Sequence, residues 1–185
     1  MIKNWIFLDR DGTLIIDKNY LHNPDEVEII PGVISGLIKL KNAGYRFVVT
    51  TNQSGVGRGY YGINEVHSVN ERISYLLDQS GINIEGFFTC PHKPDDGCKC
   101  RKPETGLAIQ AAKILKFSLS EVGYVIGDKK LDMDFAQNLS VPSVLVMTGY
   151  GADEFANGVR GFYNVGNIDE AADMILNVGG ACNVK

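Results

Sequence analysis

Two aspartates near the start of the chain, Asp9 and Asp11, have the residue type and spacing that most clearly indicate chemistry. They follow the apolar run Trp5–Leu8 and precede Gly12, which permits a tight turn. A continuous apolar run is typical of a strand buried on both faces of a parallel sheet. Because residues i and i+2 of a strand point the same way, both carboxylates face one small volume. A bound cation or one retained proton would relieve their repulsion.

Matching side chains follow other predicted strands. The run Tyr45–Thr51 leads into a polar segment, and a later apolar run ends at Asp128. Since the carboxyl ends of parallel strands meet at one edge of a sheet, we expect these groups beside Asp9 and Asp11. Carboxylates from two strands are suitable ligands for Mg²⁺. Hydroxyl and cationic groups could bind phosphoryl oxygens there, namely Thr51, Ser54, Arg101 and Lys102.

Each of these residues also has an ordinary structural explanation. Thr51 could simply favour a strand, Lys102 could be a solvated charge, and Asp128 could cap the helix that follows it. Their joint occurrence at successive strand ends favours a phosphate-binding site. In such a site a carboxylate can attack phosphorus itself, which divides hydrolysis into two steps through an aspartyl-phosphate.

Apolar periodicity predicts the elements that position these residues. We expect strands over residues 5–8, 45–51, 86–89, 123–128 and 143–147, and helices over residues 33–43, 64–80, 105–116, 132–139 and 168–176. Asn52–Gly59 is predicted to be a glycine-rich loop, and Asn64 to cap the helix after it. Alternating strands and helices predict an α/β fold, a three-layer α/β/α sandwich with a mostly parallel sheet and no large cap domain.

A second cluster of reactive residues lies in the segment Cys90–Cys100, which contains three thiols and one imidazole within eleven residues. This is a complete tetrahedral Zn²⁺ set of the Cys₃His type. The polar, proline- and glycine-containing composition of the segment argues against buried structural cysteines. With four protein ligands no position is left for water, so we expect a structural zinc. It would fix the positions of Arg101 and Lys102, which directly follow Cys100. The ligands would be Cys90, His92, Cys98 and Cys100; Cys182 stands apart.

Composition limits the classes of protein that remain. At 185 residues we expect a single domain over residues 1–185, and a hydrophobic fraction of 44% is that of a folded protein. A formal net charge of −4 disfavours nucleic acid as a partner. We find no signal peptide and no apolar run near the ~20 residues that span a bilayer. These features predict a cytoplasmic monomer that does not bind membranes.

The motifs Asp9-x-Asp11-Gly12-Thr13, Thr51, Lys102 and Gly127-Asp128-x-x-x-Asp132 resemble those of the haloacid-dehalogenase-type phosphatases. The resemblance covers about residues 4 to 150 and implies a Rossmann-like fold. It implies that Asp9 is the nucleophile and that Asp11 is the general acid/base. Mg²⁺ would be held by the Asp9 carboxylate, the Asp11 backbone carbonyl and Asp128, with Asp132 behind them. Thr51 and Lys102 would hold the phosphoryl group.

The cysteine segment resembles two groups within that family, the heptose bisphosphate phosphatases and the histidinol-phosphate phosphatases. The segments around Asp17–His22 and Thr51–Gly59 resemble the first group, whereas the five-residue spacing between His92 and Cys98 is closer to the second. The resemblance implies a small sugar phosphate as substrate. Its contacts would be Asp17, Lys18, Asn19, Tyr20, Asn52, Gln53, Ser54, Arg101, Lys102 and Lys129, and Arg58 could bind a second phosphate.

Three functional hypotheses follow from these residues. The first is an Mg²⁺-dependent phosphatase that removes the 7-phosphate of a heptose bisphosphate in the synthesis of surface glycans such as lipopolysaccharide. The second keeps this chemistry with histidinol phosphate as the substrate. The third is a phospho-receiver switch, which also places acids, a threonine and a lysine at parallel strand ends. The position of Asp11 and the cysteine segment argue against the third.

Overall fold

The computed structural model describes residues 3–181, which form a sheet of six strands with every neighbouring pair parallel. The order across the sheet is β3-β2-β1-β4-β5-β6. The strands are β1 (Trp5–Leu8), β2 (Arg46–Asn52), β3 (Ile84–Cys90), β4 (Val122–Gly127), β5 (Ser143–Val146) and β6 (Tyr163–Val165). The central β1 lies between β2 and β4, so the acidic segment after it is flanked on both sides.

Helices cover both faces of this sheet. They are α1 (Val33–Asn42), α2 (Ser54–Arg58), α3 (Ile63–Asp78), α4 (Gly106–Leu115), α5 (Lys130–Leu139), α6 (Gly151–Ala156) and α7 (Ile168–Ala181). Side chains of β1 alternate between two cores: Ile6 and Leu8 pack with α1, α3 and α7, whereas Trp5 and Phe7 pack with α4 and α5. The predicted α/β/α sandwich is therefore confirmed, and no separate cap domain occurs within residues 3–181.

The glycine-rich segment after β2 is not a loop throughout, because residues 54–58 form the short helix α2. Its glycines provide room rather than flexibility. A Cβ on Gly55 would collide with the ring of Tyr61, and one on Gly57 would lie 2.8 Å from the carbonyl oxygen of Pro91. Gly59, with φ of 74°, ends the helix in the left-handed conformation. Close contacts with Tyr61 and Pro91 thus accompany a helix in a segment that its composition predicted to be a loop.

The prediction that Asn64 caps α3 is also wrong. The helix begins at Ile63 after Gly62, whose backbone N–H donates to the Glu65 carboxylate at 3.0 Å. The glutamate three residues into the helix therefore satisfies a free backbone donor at the helix start. The sequence analysis also missed β6 and α6, which are three and six residues long and too short to show a hydrophobic period.

Among the residues that the structure describes, no helix has both the length and the apolar character needed to cross a membrane. The longest, α3, has sixteen residues and presents a polar face.

Close packing of α1 against α7 provides a test of the fold. A Cβ on Gly36 would lie 2.5 Å from the carbonyl oxygen of Ile168, a backbone atom that cannot rotate away. We expect Gly36→Ala to lower the free energy of unfolding by about 1–3 kcal/mol, the usual cost of overpacking. Urea denaturation would measure it. Asn42→Ala, at the exposed end of the same helix, should change it by less than about 0.5 kcal/mol; equal midpoints for both variants would contradict the packing argument.

Candidate active site

Strand order brings the acidic segments together. Asp9 follows β1 and Asp128 follows β4, the neighbouring strand, and the Asp9 backbone N–H donates to the Ile126 carbonyl at 2.9 Å. Thr51 lies in β2 on the other side of β1 and is buried. The carboxyl edge of three adjacent strands therefore carries these groups, as parallel pairing predicts.

Lys102 provides the positive charge at the centre of the site. Its ammonium group donates to Asp9 Oδ1 at 2.6 Å, to Asp132 Oδ1 at 2.6 Å and to the Thr50 carbonyl at 2.7 Å. The side chain is only 3% exposed. Burial alone would lower the pKa of Lys102, but the Asp132 and Asp9 carboxylates raise that pKa to about 12. The lysine therefore stays charged, with its three protons assigned to three acceptors.

Two carboxylates, Asp9 and Asp132, contact this ammonium group, and Asp128 lies close to both of them. Oxygen atoms of Asp9, Asp128 and Asp132 lie within 4.8 Å of one another, and all three residues are buried. Burial raises the pKa of Asp9 despite the opposing effect of Lys102. Burial and the nearby Asp9 charge raise the pKa of Asp128 to about 8. An excess of buried negative charge with raised carboxyl pKa values is the environment that a cation stabilises.

Two glycines make room for the Asp128 carboxylate. A Cβ on Gly12 or on Gly149 would collide with Asp128 Oδ2, and both glycines have positive φ, 84° and 54°. The carboxylate accepts hydrogen bonds from the Tyr150 backbone N–H at 2.9 Å and from the Thr13 hydroxyl at 3.5 Å. Gly12 and Thr13 of the opening motif thus form a turn and also accommodate the Asp128 carboxylate, which follows the neighbouring strand.

Asp11 is held differently from Asp9. The Arg10 guanidinium donates to both of its carboxylate oxygens, at 2.9 and 3.1 Å, and the Gln53 amide donates to Oδ2 at 2.8 Å. The Gln53 amide also contacts the Thr51 hydroxyl at 2.9 Å and accepts from the Tyr61 hydroxyl at 3.0 Å. Asp11 lies outside the cluster of three carboxylates but lines the same cavity as Asp9.

Two adjoining cavities form a polar cleft over the strand ends, with volumes of about 200 and 250 Å³. The inner cavity is lined by Asp9, Asp11, Thr51, Asn52, Ser54, Arg101, Lys102, Lys129, Leu131 and Asp132. The outer cavity is lined by Asp11, Asp17, Asn19, Tyr20, Leu21, Asn52, Gln53, Ser54, Tyr61, Lys129 and Tyr150. Ten of the twelve residues expected to contact substrate line one or both cavities.

Lys18 and Arg58 do not line either cavity. The Lys18 ammonium group pairs with Glu28 at 2.6 Å, and Arg58 is exposed at the end of α2. Lys129 instead joins the two cavities, where its ammonium group donates to Asp17 at 3.1 Å and lies 4.7 Å from the Tyr150 ring centre. Burial opposes its charge, but Asp128, Asp9 and Asp17 raise the pKa of Lys129.

The cysteine segment brings four potential metal ligands together. Sulfur atoms of Cys90, Cys98 and Cys100 lie 3.3–3.6 Å apart, and His92 Nδ1 lies 3.2 Å from the Cys100 sulfur and 3.6 Å from the Cys90 sulfur. These separations exceed the roughly 2.05 Å of a disulfide. They approach the edge of about 3.8 Å that Zn–S bonds of about 2.3 Å define in a tetrahedron. The donor set and its spacing fit zinc.

The same segment is tied to the catalytic edge. Cys90 is the last residue of β3, and its carbonyl accepts from the Gln53 backbone N–H at 2.8 Å. The Asn52 side chain donates to the Lys102 carbonyl at 3.1 Å and accepts from the Lys102 N–H at 3.0 Å. Asn52, predicted as a substrate contact, therefore also fixes the backbone that carries Lys102.

Sequence reasoning missed several residues that build the site. Arg10 contacts both carboxylate oxygens of Asp11 and is itself held by Asn70, and Tyr61 donates to the Gln53 amide oxygen. A charged residue inside an apolar strand end was the available signal for Arg10, because a buried guanidinium needs an anionic partner. Asn70 and Tyr61 carried no such signal, since only the tertiary fold brings them near Asp11.

Comparison with known proteins identifies the class of protein. The family model described as polynucleotide kinase 3 phosphatase matches residues 4–143, more than half of the chain. A crystal structure of D,D-heptose 1,7-bisphosphate phosphatase from B. bronchiseptica, complexed with magnesium and phosphate, has a TM-score of 0.84 and 31% identity. The match covers 95% of this chain and 99% of that chain. The chain therefore belongs to this phosphatase family, within the haloacid-dehalogenase-like phosphatases.

Curated relatives narrow the similarity within that class. The Salmonella typhi D-glycero-beta-D-manno-heptose-1,7-bisphosphate 7-phosphatase is 39% identical over 180 residues, covering 93% of this chain and 89% of that protein. The Haemophilus influenzae protein of the same name is 39% identical over 151 residues, covering 78% and 82%. The predicted resemblance to the heptose bisphosphate phosphatases is confirmed by these relatives.

The raised pKa of Asp128 predicts a dependence of stability on pH in the metal-free protein. The native state keeps a proton that the unfolded state releases near pH 4, so stability should fall as pH rises from about 4 to about 8. Asp128→Asn removes this titration. At pH 9 with a chelator, we expect the variant to exceed the native protein in free energy of unfolding by at least about 1.4 kcal/mol, the equivalent of one pKa unit.

Urea denaturation across this pH range, with metal removed, would measure the difference. Asp134→Asn, which changes a carboxylate paired with Lys130 on the surface of α5, is the matched control and should follow the native protein. Parallel profiles for Asp128→Asn and the native protein would contradict the assignment of a raised Asp128 pKa.

Proposed function

We propose that this phosphatase removes the 7-phosphate of D-glycero-D-manno-heptose 1,7-bisphosphate through an aspartyl-phosphate on Asp9, in the synthesis of nucleotide-activated heptose for surface glycans. The observation that carries the proposal is the convergence of Asp9, Asp11 and Lys102 on one cavity of about 200 Å³. A nucleophile, an acid/base and a phosphate-binding cation are the parts that two-step phosphoryl transfer requires.

A divalent cation fits the donor set beside these residues. Asp9 and Asp128 provide hard carboxylate oxygens with an excess of negative charge, and the Asp11 backbone carbonyl would complete the protein ligands. Mg²⁺ bound there would offset the repulsion between the anionic nucleophile and an anionic phosphate. The magnesium in the B. bronchiseptica structure supports this choice of metal.

The chain's own residues then account for both chemical steps. Asp9 attacks phosphorus, so a bond forms between its carboxylate oxygen and phosphorus as the bond to the sugar oxygen breaks. Asp11 gives its proton to that leaving oxygen. In the second step Asp11 takes a proton from water, whose oxygen displaces Asp9 and releases phosphate. Thr51 and Lys102 would bind the phosphoryl oxygens, for which Lys102 must give up one of its three present contacts, and the buried Asp132 carboxylate keeps the lysine charged.

The cleft supports a small, polar substrate with charge at both ends. The outer cavity of about 250 Å³ presents carboxylate, amide and hydroxyl groups, and Lys129 stands between the two cavities. A hydroxylated sugar can exchange hydrogen bonds with such a surface, whereas an apolar substrate would leave these groups unpaired. Arg101, in the inner cavity, is a second cation within reach of a diphosphate. The names of the curated relatives support the heptose as the sugar.

Substitution of the two aspartates tests the chemistry. Asp9→Asn should abolish phosphate release from the heptose bisphosphate, because an amide cannot accept the phosphoryl group. Asp11→Asn should lower kcat by roughly 10²–10⁴-fold, the usual contribution of general acid–base catalysis. Phosphate release with added Mg²⁺ would measure both, with Asp134→Asn as the matched control. Full activity of Asp9→Asn would contradict the mechanism.

The substrate is tested separately with a panel of α- and β-heptose 1,7-bisphosphates and histidinol phosphate. We expect kcat/KM to be highest for a heptose bisphosphate and release to stop after one phosphate. The five-residue spacing between His92 and Cys98 is the observation that favours histidinol phosphate. A higher kcat/KM for that substrate would transfer the function to histidine synthesis while leaving the chemistry of Asp9 unchanged.

We further propose that Cys90, His92, Cys98 and Cys100 bind a structural zinc. Four protein ligands would leave no position for a reactive water. Cys100 directly precedes Arg101 and Lys102, so the metal would act on catalysis by fixing where these two cations lie. The short sulfur–sulfur and sulfur–nitrogen separations support the ligand set.

Removal of a ligand tests this zinc site. Cys98→Ser should lower the zinc content well below one equivalent and lower Tm by roughly 5 °C or more, since about 1 kcal/mol corresponds to about 2–4 °C at this chain length. It should also lower kcat at saturating Mg²⁺. Metal analysis, thermal unfolding and phosphate release would measure these. Cys182→Ser, which lies outside the described residues, is the control; a zinc-free Cys98→Ser with native Tm and kcat would refute the structural role.

We also expect a monomeric, single-domain enzyme in the cytoplasm. The continuous sheet from β3 to β6 and the acidic composition support this expectation. Sedimentation analysis of the full chain would test the oligomeric state, because a dimer would have twice the chain mass of 20.3 kDa.

A further inference from the structure

Arg10 is a buried cation that the proposed reaction does not use. It is the middle residue of the catalytic segment, and its side chain has 0% exposure. A guanidinium is charged at any physiological pH, so its burial is costly unless every charge is matched. The contacts of this fully buried arginine must therefore compensate for the free energy lost when the charge leaves water, and they indicate what the residue does.

Among the residues that the structure describes, the Arg10 side chain donates hydrogen bonds to Asp11 and Asn70. Nε donates to Asp11 Oδ2 at 2.9 Å and Nη2 donates to Asp11 Oδ1 at 3.1 Å, which is a two-point contact with one carboxylate. Nη1 donates to the Asn70 side-chain oxygen at 3.0 Å. A planar guanidinium that contacts both oxygens fixes the plane of a carboxylate as well as its position. The Gln53 amide donates to Oδ2 of this carboxylate at 2.8 Å, which is a contact at one point.

Asn70 ties this arrangement to the core. It lies on α3, is 6% exposed, and has buried neighbours Val69 and Ile73 that pack in the main core. The helix cannot shift without disturbing that core, so Asn70 is a fixed point for Nη1. Asp11 is thereby connected through Arg10 to α3, a helix that contributes no residue to the walls of either cavity.

We propose that Arg10, anchored by Asn70, is a positioning residue that holds the plane of the Asp11 carboxylate toward the leaving-group oxygen. The inference rests on the proposed function, which gives Asp11 the acid/base role. A general acid must lie within hydrogen-bond reach of the oxygen that it protonates, and its carboxylate can otherwise rotate away. The two-point contact restricts that rotation in both chemical steps.

Asn70→Ala is the test variant because it keeps both charged residues of the buried Arg10–Asp11 pair and removes only the side chain that anchors Arg10. We expect kcat for the heptose bisphosphate to fall about 10-fold or more while KM changes less than about 2-fold. Single-turnover release of nitrophenolate from 4-nitrophenyl phosphate should change less than about 2-fold, because this leaving group needs no proton. Asn64→Ala, an exposed position on the same helix, is the control.

Arg10→Lys is the second variant, since it keeps the charge and loses the planar two-point contact. It should reproduce the Asn70→Ala pattern. Native kcat in Arg10→Lys would show that charge alone suffices and would overturn the proposal. Equal losses on both substrates in Asn70→Ala would also overturn it, because a general structural defect has that signature.

A crystal structure of Asn70→Ala separates this inference from the proposed function, because it requires no turnover. We expect the Asp11 carboxylate to rotate or to occupy more than one orientation, while it keeps a single orientation in Asn64→Ala. An unchanged Asp11 would refute the positioning role even in an active enzyme. Absence of phosphatase activity in the native protein would instead refute the proposed function and leave the structural result standing.

Discussion

The buried ammonium group of Lys102 is the contact on which the rest of the site depends. Its burial is compensated because Asp9, Asp132 and the Thr50 carbonyl each accept one hydrogen bond from it. The positive charge of the lysine in turn stabilises the two buried carboxylates. The backbone of Lys102 is held in turn by the Asn52 side chain, at the end of β2. The cysteine cluster ends two residues earlier, so the catalytic edge and the cysteine segment form one connected unit.

The Asp9, Asp128 and Asp132 carboxylates are buried near the charges of Lys102 and Lys129, and the cost of burying them links stability to function. Burial raises the pKa values of Asp9 and Asp128, so ionising these carboxylates in the folded protein costs stability. A bound cation would stabilise the ionised carboxylates, so the burial that destabilises the metal-free site also favours metal binding. Gly12 and Gly149 make the position of the Asp128 carboxylate possible, because any larger residue in place of either glycine would collide with it.

Short loops form the outer half of the cleft. The segments after β1 and β2 contact one another through two aromatic pairs, Tyr20 with Tyr60 at 4.9 Å and His22 with Tyr61 at 5.3 Å between ring centres. Consecutive left-handed residues at positions 19 and 20, with φ of 52° and 64°, turn the first segment over the cavity. Specificity in this enzyme would therefore reside in two small interlocked segments, and Tyr61 joins them to Asp11 through the Gln53 amide.

The sequence by itself determined the alternation of strands and helices in a parallel sheet, the acids at the strand ends and the cluster of cysteines, because these depend on hydrophobic runs and on short spacings along the chain. Only the tertiary structure decided that residues 54–58 are helical, that Gly62 and Glu65 begin α3, and that Arg10 meets Asn70 sixty residues away. It also placed outside the cleft both Lys18, a substrate contact that the family resemblance implied, and Arg58, a cation suited to a second phosphate. The physical reason is the same in each case: local patterns fix what a residue can do, whereas contacts between distant segments fix what it faces.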